Sequence, residues 1–214
     1  YEWAGKWILF IPWHFPNTQN PKSMEENEKD LSNFYPSLYM HLLEHKDKLS
    51  NRNKDETGIR YEWYCLQRWG SNYMSEFNRQ KIVYSEIVQS PQFYLDKNNF
   101  YAEATSFILT GNFLEYLIGM LHSKLLAFAF KNFYAGGGLG EKGYRYKKAF
   151  LELLPIPKIT ESKQQEFVKI VNEILESKAK NQDAKALQEV LDKMVYTLYN
   201  LNDKEIELIE SSFN

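Results

Sequence analysis

The sequence predicts an α+β protein in which short β-sheets with packed helices are followed by a C-terminal helical hairpin. Residues 61–109 carry short aromatic and β-branched runs separated by turn-forming residues, a pattern typical of short strands. Residues 113–130 carry apolar side chains at helical spacing. Residues 159–214 carry two further helical stripes joined by a polar link. We therefore predict a mixed α+β domain over 1–158 and a separate hairpin with a short capping helix over 159–214.

The first 50 residues are predicted to form a strand, a loop and a helix. Residues 3–13 mix β-branched and aromatic side chains and indicate a strand that ends near Pro12. Residues 17–30 are rich in Asn, Glu, Lys and Pro, which favours a mobile surface loop. Residues 35–49 place leucines and histidines at helical spacing with Ser37 available as a cap, so we expect one helix there.

The middle of the chain is predicted to contain four short strands, a long helix and a basic loop. The strands are expected at residues 61–66, 81–88, 93–95 and 106–109. A buried helix over 113–130 follows, and the glycine-rich residues 136–148 form a loop. Residues 150–158 are expected to be an extended connector, because two spaced prolines exclude a helix.

The hairpin is predicted from two apolar stripes. One stripe lies within residues 167–175 and the other within 187–198, with a polar link at 180–183. Asn202 or Asp203 can cap a final short helix.

The bulk properties limit the class of protein. A chain of 214 residues is long enough for one domain with a sizeable core, or for slightly more than one. Cys65 is the only cysteine, so an internal disulfide is excluded and a cytoplasmic location is expected. No apolar run approaches the roughly 20 residues of a membrane span, so no membrane partner is expected. The chain begins with Tyr1 rather than Met, so we expect it to be a fragment of a longer protein.

The charge is unevenly distributed along the chain. The net charge is −2, which by itself argues against nucleic-acid binding. Residues 124–158, however, hold seven Lys or Arg against Glu141 and Glu152, whereas residues 159–214 sum to −4. A local excess of positive charge is what phosphate binding requires, whatever the global sum.

The basic segment at residues 136–148 is the strongest candidate for a binding function. A nucleotide-binding loop follows a strand and carries a Gly-Lys-Ser/Thr ending or dinucleotide spacing, and this segment has neither feature. Glycines, basic side chains and tyrosines together suit a nucleic-acid backbone, and Arg can also contact a guanine edge. From composition alone, a plain surface loop remains an equal alternative.

Polar side chains near the predicted strand ends extend this candidate surface. Gln side chains suit adenine edges, and Arg and Lys suit guanine or phosphate. Many such residues are ordinary strand-end residues. The full set of candidate DNA contacts is Gln67, Arg68, Arg79, Lys81, Tyr84, Lys124, Lys142, Arg145, Tyr146, Lys147 and Lys148.

The sequence contains no motif that demands catalysis. His41 and His45 form an i, i+4 pair with Glu44 between them, but a zinc protease places its Glu directly after the first His. We therefore interpret this group as a polar helix face, and we predict no catalytic and no metal-binding residue. No Gly-x-Ser-x-Gly motif occurs, and Cys65 has no activating neighbour in the sequence.

Several segments, taken in order, resemble the C-terminal specificity domain of TaqI-like adenine-specific DNA methyltransferases and of single-chain type IIG restriction-modification enzymes. The resemblance covers roughly residues 35–210. It is carried by residues 63–68 (WYCLQR), 81–87 (KIVYSEI), 107–111 (FILTG), 121–125 (LHSKL), 143–148 (GYRYKK), 154–157 (LPIP) and 192–199 (DKMVYTLY), followed by an acidic capping helix. The family's Asn-Ser-Lys appears as His122-Ser-Lys124, a departure that leaves the role of His122 open.

This resemblance implies a target-recognition module with short curved sheets that docks in the DNA major groove. The module would bind double-stranded DNA, and its other partners would be upstream methyltransferase and nuclease domains of the same chain. In such enzymes the methyltransferase flips an adenine out of the duplex. The Asn-Pro-Pro-Tyr type motif is absent, so S-adenosylmethionine and Mg are expected only for the upstream catalytic domains, and no cofactor is expected here.

Three alternatives stay open. The chain could be half of a type I restriction specificity subunit, which is similar in domain type. It could be a protein-interaction module whose hairpin binds a partner, in which case binding would depend little on salt. A free-standing enzyme is the least favoured alternative, because the sequence contains no motif that would support turnover.

Overall fold

The computed structural model describes residues 5–52, 60–102, 105–135 and 143–213. The chain forms two compact units, an N-terminal unit, Tyr1–Ser75, and a C-terminal unit, Glu76–Asn214. Helices and small antiparallel sheets both occur, which confirms the α+β class. The domain boundary that the sequence predicts at residue 158 stays a prediction.

The described residues of the N-terminal unit form three helices: α1 (Met24–Phe34), α2 (Pro36–Leu43) and α3 (Lys46–Ser50). The predicted loop over 17–30 is wrong from residue 24 onward. The cause is a capping box, in which Ser23 accepts from the Glu26 backbone while the Glu26 carboxylate accepts from the Ser23 backbone. This signature of Ser followed three residues later by Glu is visible in the sequence.

The single helix predicted over 35–49 is divided. Pro36 occupies the first turn of α2, and the chain leaves regular helix at Glu44 and His45 before α3 begins. Pro suits a helix start because its missing N–H has no partner to lose there.

The strands predicted at 3–13 and 61–66 are not formed where the structure describes them. Residues 5–13 and 60–66 are irregular, and single hydrogen bonds replace a ladder. The backbone N–H of Leu66 donates to Ile11 (2.9 Å), and the indole of Trp13 donates to Leu66 (2.7 Å). One backbone bond and one side-chain bond thus satisfy groups that a neighbouring strand would otherwise pair.

The C-terminal unit contains two antiparallel sheets. In the first, β1 (Lys81–Ser85) lies between β3 (Phe93–Asp96) and β4 (Ser106–Leu109). In the second, β2 (Ile87–Val88) pairs with β5 (Tyr144–Arg145). The strands predicted at 81–88, 93–95 and 106–109 are confirmed, with the first divided between the two sheets.

Six helices accompany these sheets among the residues of this unit that the structure describes. The predicted helix over 113–130 divides at Ser123, whose backbone is extended and whose hydroxyl caps the second segment. The predicted hairpin and capping helix are confirmed, and Asn202 caps the last helix. The helices are α4 (Leu114–His122), α5 (Lys124–Ala129), which continues into a π-turn (Phe130–Tyr134), α6 (Lys148–Leu151), α7 (Glu161–Ala179), α8 (Lys185–Leu198) and α9 (Asp203–Ser211). Within the part of the chain that the structure describes, none of the helices has the length and apolarity to cross a membrane.

Close packing joins the hairpin to the rest of the C-terminal unit. Helix α4 packs against α7, with the Tyr116 and Phe167 rings 5.3 Å apart. A Cβ at Gly119 would lie 2.7 Å from Val171 and 3.5 Å from Leu191. Gly119 therefore sets how closely α4 approaches the hairpin.

Replacing Gly119 with Leu is expected to destabilise the C-terminal unit. The branched Val171 side chain is stiff in a helix, so the added atoms force a shift that costs about 2 kcal/mol of unfolding free energy. Urea unfolding followed by circular dichroism measures this cost. The double variant Gly119→Leu with Val171→Ala should recover part of it, and an unchanged midpoint in the single variant would show that the contact is not restrictive.

Candidate nucleic-acid interface

The described part of the basic segment begins with a short β-ribbon and ends at the first residue of α6. Strand β5 pairs with β2, with Arg145 opposite Ile87 and Tyr144 opposite Val88. The ladder continues through the backbone N–H of Tyr146, which donates to the Glu86 carbonyl (2.8 Å). The predicted loop over 136–148 is therefore wrong for residues 143–145 and 148. Residues 146–147 belong to no regular element, and residues 136–142 lie outside the described residues.

Alternation along the ribbon separates its tyrosines from its cations. Tyr144 and Tyr146 are buried, and the ring of Tyr146 lies 4.4 Å from that of Phe130 and 4.9 Å from that of Phe93. Successive side chains on a strand point to opposite faces, so Arg145 and Lys147 face outward. The aromatic residues that suggested DNA contact instead anchor the ribbon.

The outward cations form what we call the basic ribbon: Arg145 in β5, Lys147 after that strand and Lys148 at the start of α6. Lys147 and Lys148 are exposed, whereas Arg145 is partly exposed and lies 3.6 Å from the Glu86 carboxylate. An ion pair of this length at the surface is weak, so Arg145 is available to a phosphate. Ile87, the cross-strand neighbour of Arg145, is exposed as well.

An apolar groove of about 290 Å³ adjoins the basic ribbon through Lys148. Its floor includes Tyr84, and its wall includes Phe107, whose ring stacks on Tyr84 at 5.4 Å and is partly exposed. Burial raises the pKa of Tyr84 to about 12, so its phenol is neutral. Glu152 also lines the groove, opposite in charge to Lys148.

Three predicted contacts are buried and are removed from the candidate interface. Lys81 is fully buried and forms an ion pair of 2.5 Å with Asp96. Tyr84 and Tyr146 are each 2% exposed. A side chain enclosed in the core has no surface to offer to DNA, so these three residues support the fold.

Lys124, a fourth predicted DNA contact, instead forms hydrogen bonds to residues of α8 and α9. Its ammonium donates to the Glu210 carboxylate of α9, and this hydrogen bond raises the pKa of Lys124. Its backbone N–H donates to Asp192 (2.8 Å), whose own pKa is raised by burial. Lys124 therefore joins α5 to the hairpin and to α9.

His122, which stands where the resembled family has Asn, contacts a neighbouring strand. Its Nε2 lies 2.9 Å from the carbonyl oxygen of Phe93. His122 thus links the end of α4 to β3.

Gln67 and Arg68 lie in the N-terminal unit, and both line a groove of about 380 Å³. Trp13, Trp69 and Tyr73 line the same groove, which gives it flat aromatic walls beside polar groups. This composition suits a planar, hydrogen-bonding ligand such as a base edge.

The remaining predicted contacts are Arg79 and Lys142. Arg79 is exposed and contacts both carboxylate oxygens of Glu76 at 3.1 and 3.2 Å. Lys142 lies outside the described residues. Ile87 and Phe107 are exposed but are not among the predicted DNA contacts. The alternation in residues 84–88 could have indicated Ile87, because it places Ile87 on the face opposite the buried Val88.

Comparison with known proteins gives a distant relation. No protein-family model matches the chain. The chain is similar to a type II methyltransferase, M.MjaIV, of Methanocaldococcus jannaschii, with 23% identity over 189 residues. The match covers 84% of this chain and 61% of that protein, so the chain spans about three-fifths of the length of its relative. The chain is thus similar, at low identity, to part of a type II methyltransferase.

Proposed function

We propose that this chain recognises double-stranded DNA in a sequence-specific manner as the target-recognition part of a restriction-modification enzyme. The observation that carries the proposal is the basic ribbon, in which Arg145, Lys147 and Lys148 lie outward over buried tyrosines. The similarity to a type II methyltransferase supports the DNA context, since such enzymes modify DNA within restriction-modification systems.

The geometry of the ribbon suits a DNA groove. The major groove of B-DNA is about 12 Å wide and admits a two-stranded β-ribbon. Arg145 can bind a phosphate or a guanine edge, and the adjacent lysines can neutralise phosphates. The exposed Ile87 and Phe107 can contact thymine methyl groups.

The rigidity of the ribbon favours specific over loose binding. Tyr144 and Tyr146 fix the backbone of the strand before DNA arrives, so less conformational entropy is lost on binding than in a free loop. In this proposal the fold is of the methylase specificity type, and the hairpin supports it. S-adenosylmethionine and Mg²⁺ belong to the methyltransferase and nuclease domains of the enzyme, and we assign no catalytic step to the residues described here.

The triple variant Arg145→Ala, Lys147→Ala, Lys148→Ala is expected to weaken DNA binding at least about tenfold. Each lost phosphate contact removes about 0.9 from the slope of log affinity against log salt, so the slope should flatten by about 2 to 3. Fluorescence anisotropy of the intact protein with a labelled duplex, titrated from 50 to 200 mM salt, measures both quantities.

A matched control removes three lysines from the hairpin. Lys169, Lys178 and Lys185 are exposed on α7 and α8, and their change to Ala alters the net charge equally. Equal losses of DNA affinity in both triple variants would show that the effect comes from net charge alone, and would contradict the proposed interface.

Selection from a random duplex library tests sequence specificity, because a recognition domain enriches one motif. Salt-independent binding would favour the protein-interaction module.

A further inference from the structure

We propose that His41, Glu44 and His45 form a binding site for a divalent transition-metal ion of the Zn²⁺ class. Their ligand atoms all lie within 4.8 Å of one another. This is the one group of three or more potential metal ligands found among the residues that the structure describes. The sequence alone favoured a plain polar helix face, and the structure adds the common position of the three side chains.

The break between α2 and α3 brings the ligands together. His41 lies in the last turn of α2, Glu44 follows α2 with helical dihedrals, and His45 precedes α3. Residues three and four positions apart share one side of such a turn. The imidazole rings of His41 and His45 are 5.4 Å apart and nearly perpendicular.

The donor set selects the class of metal. Two imidazoles and one carboxylate suit Zn²⁺, Ni²⁺ or Cu²⁺, whereas Mg²⁺ prefers oxygen ligands. Zinc binds nitrogen and carboxylate oxygen at about 2.0 to 2.2 Å in tetrahedral geometry, which places ligand atoms about 3.3 to 3.6 Å apart. Ligand atoms that lie within 4.8 Å of one another must therefore approach by at most about 1.5 Å. Exposed side chains can make this movement by changing rotamer.

The other histidine and the cysteine described in the N-terminal unit are already engaged. His14 lies 3.2 Å from the Glu62 carboxylate, and Cys65 is buried. Burial, followed by the nearby charge of Glu62, raises the pKa of Cys65, so its thiol stays protonated and does not ligate metal. Among the histidine and cysteine residues described in the N-terminal unit, His41 and His45 are thus the ones open to a metal ion.

An ion bound here would fix the junction of two helices. The ion would connect the last turn of α2 to His45, the residue directly before α3. A ligand that binds only the folded state stabilises the folded state. All five Trp residues lie within residues 3–69, so Trp fluorescence reports on the unit that contains the site.

Titration of the intact, tag-free protein with ZnCl₂ by calorimetry is expected to show one saturable site. Zn²⁺ should also raise the unfolding temperature read by Trp fluorescence, and MgCl₂ at the same concentration should not. His41→Ala and His45→Asn should each weaken Zn²⁺ binding at least about tenfold, since loss of even an outer partner of a metal ligand costs about 10- to 100-fold.

The matched control is Asp47→Asn, which removes an exposed carboxylate just outside the cluster and should leave Zn²⁺ affinity unchanged. Circular dichroism of each variant checks that it folds. Non-saturable binding, or equal affinity in wild type and His41→Ala, would overturn the site. The surface position of the side chains makes loss of the fold in these variants an unexpected result, and His45→Asn repeats the test at a second ligand.

Discussion

Replacing Lys81 with Ala is expected to lower the free energy of unfolding by about 3–5 kcal/mol, the usual cost of leaving one member of a buried ion pair alone. Lys81 and Asp96 are both fully buried on neighbouring strands β1 and β3, with their charged groups 2.5 Å apart. The Lys81 ammonium also donates to the Phe77 carbonyl (2.9 Å). The Asp96 carboxylate also accepts hydrogen bonds from the backbone N–H groups of Asn98 and Phe100 in the following turn. Removal of the Lys81 side chain would therefore leave the buried charge of Asp96 without its ion-pair partner.

Urea unfolding of the Lys81→Ala variant, followed by circular dichroism, measures the cost. Arg79→Ala is the matched control, because its partner Glu76 is at the surface and such pairs contribute about 0–1 kcal/mol. A Lys81→Ala variant as stable as Arg79→Ala would contradict the assignment of a structural role to the buried pair.

Replacing Glu62 with Ala is expected to cost about 3 kcal/mol in the N-terminal unit, because three buried or partly buried donors lose a charged acceptor. The Glu62 carboxylate accepts from the backbone of His14 (2.8 Å), from Asn27 (2.7 Å) and from the thiol of Cys65 (3.3 Å). These residues come from separate segments, so the carboxylate joins the irregular start of the chain to α1.

The same residue predicts a pH dependence. Burial acts to raise the pKa of Glu62, but hydrogen bonds from Asn27 and His14 outweigh it, and the pKa is lowered from 4.5. The ionised form therefore stabilises the fold above pH 4.5, and this contribution is lost as the pH falls through the lowered value. Urea midpoints from Trp fluorescence at pH 7 and in the acid range should show a smaller acid loss for Glu62→Gln. An equal loss would assign the acid sensitivity to other groups.

Local patterns predicted much of the fold. The strands at residues 81–88, 93–95 and 106–109 and the hairpin of α7 and α8 are present because their side-chain periods of two and 3.6 match their burial. The failures have identifiable causes. Residues 61–66 have strand-like composition, but the Arg52 guanidinium donates to the Trp63 and Cys65 carbonyls, and no strand among the described residues pairs with them.

The candidate interface was only partly predictable. Composition identified the basic segment, and the structure retains Arg145, Lys147 and Lys148 at the surface. Composition cannot tell a buried lysine from an exposed one, because burial of Lys81 depends on Asp96 fifteen positions away. The engagement of Lys124 by Glu210 depends on a residue still farther along the chain.

The sequence by itself determined the α+β class, the hairpin and the location of the positive charge, because these follow from side-chain period and composition within short windows. Tertiary structure alone decided which basic and aromatic residues reach the surface. The physical reason is that exposure depends on contacts between residues distant in the chain, whereas helix and strand formation depends mainly on neighbours.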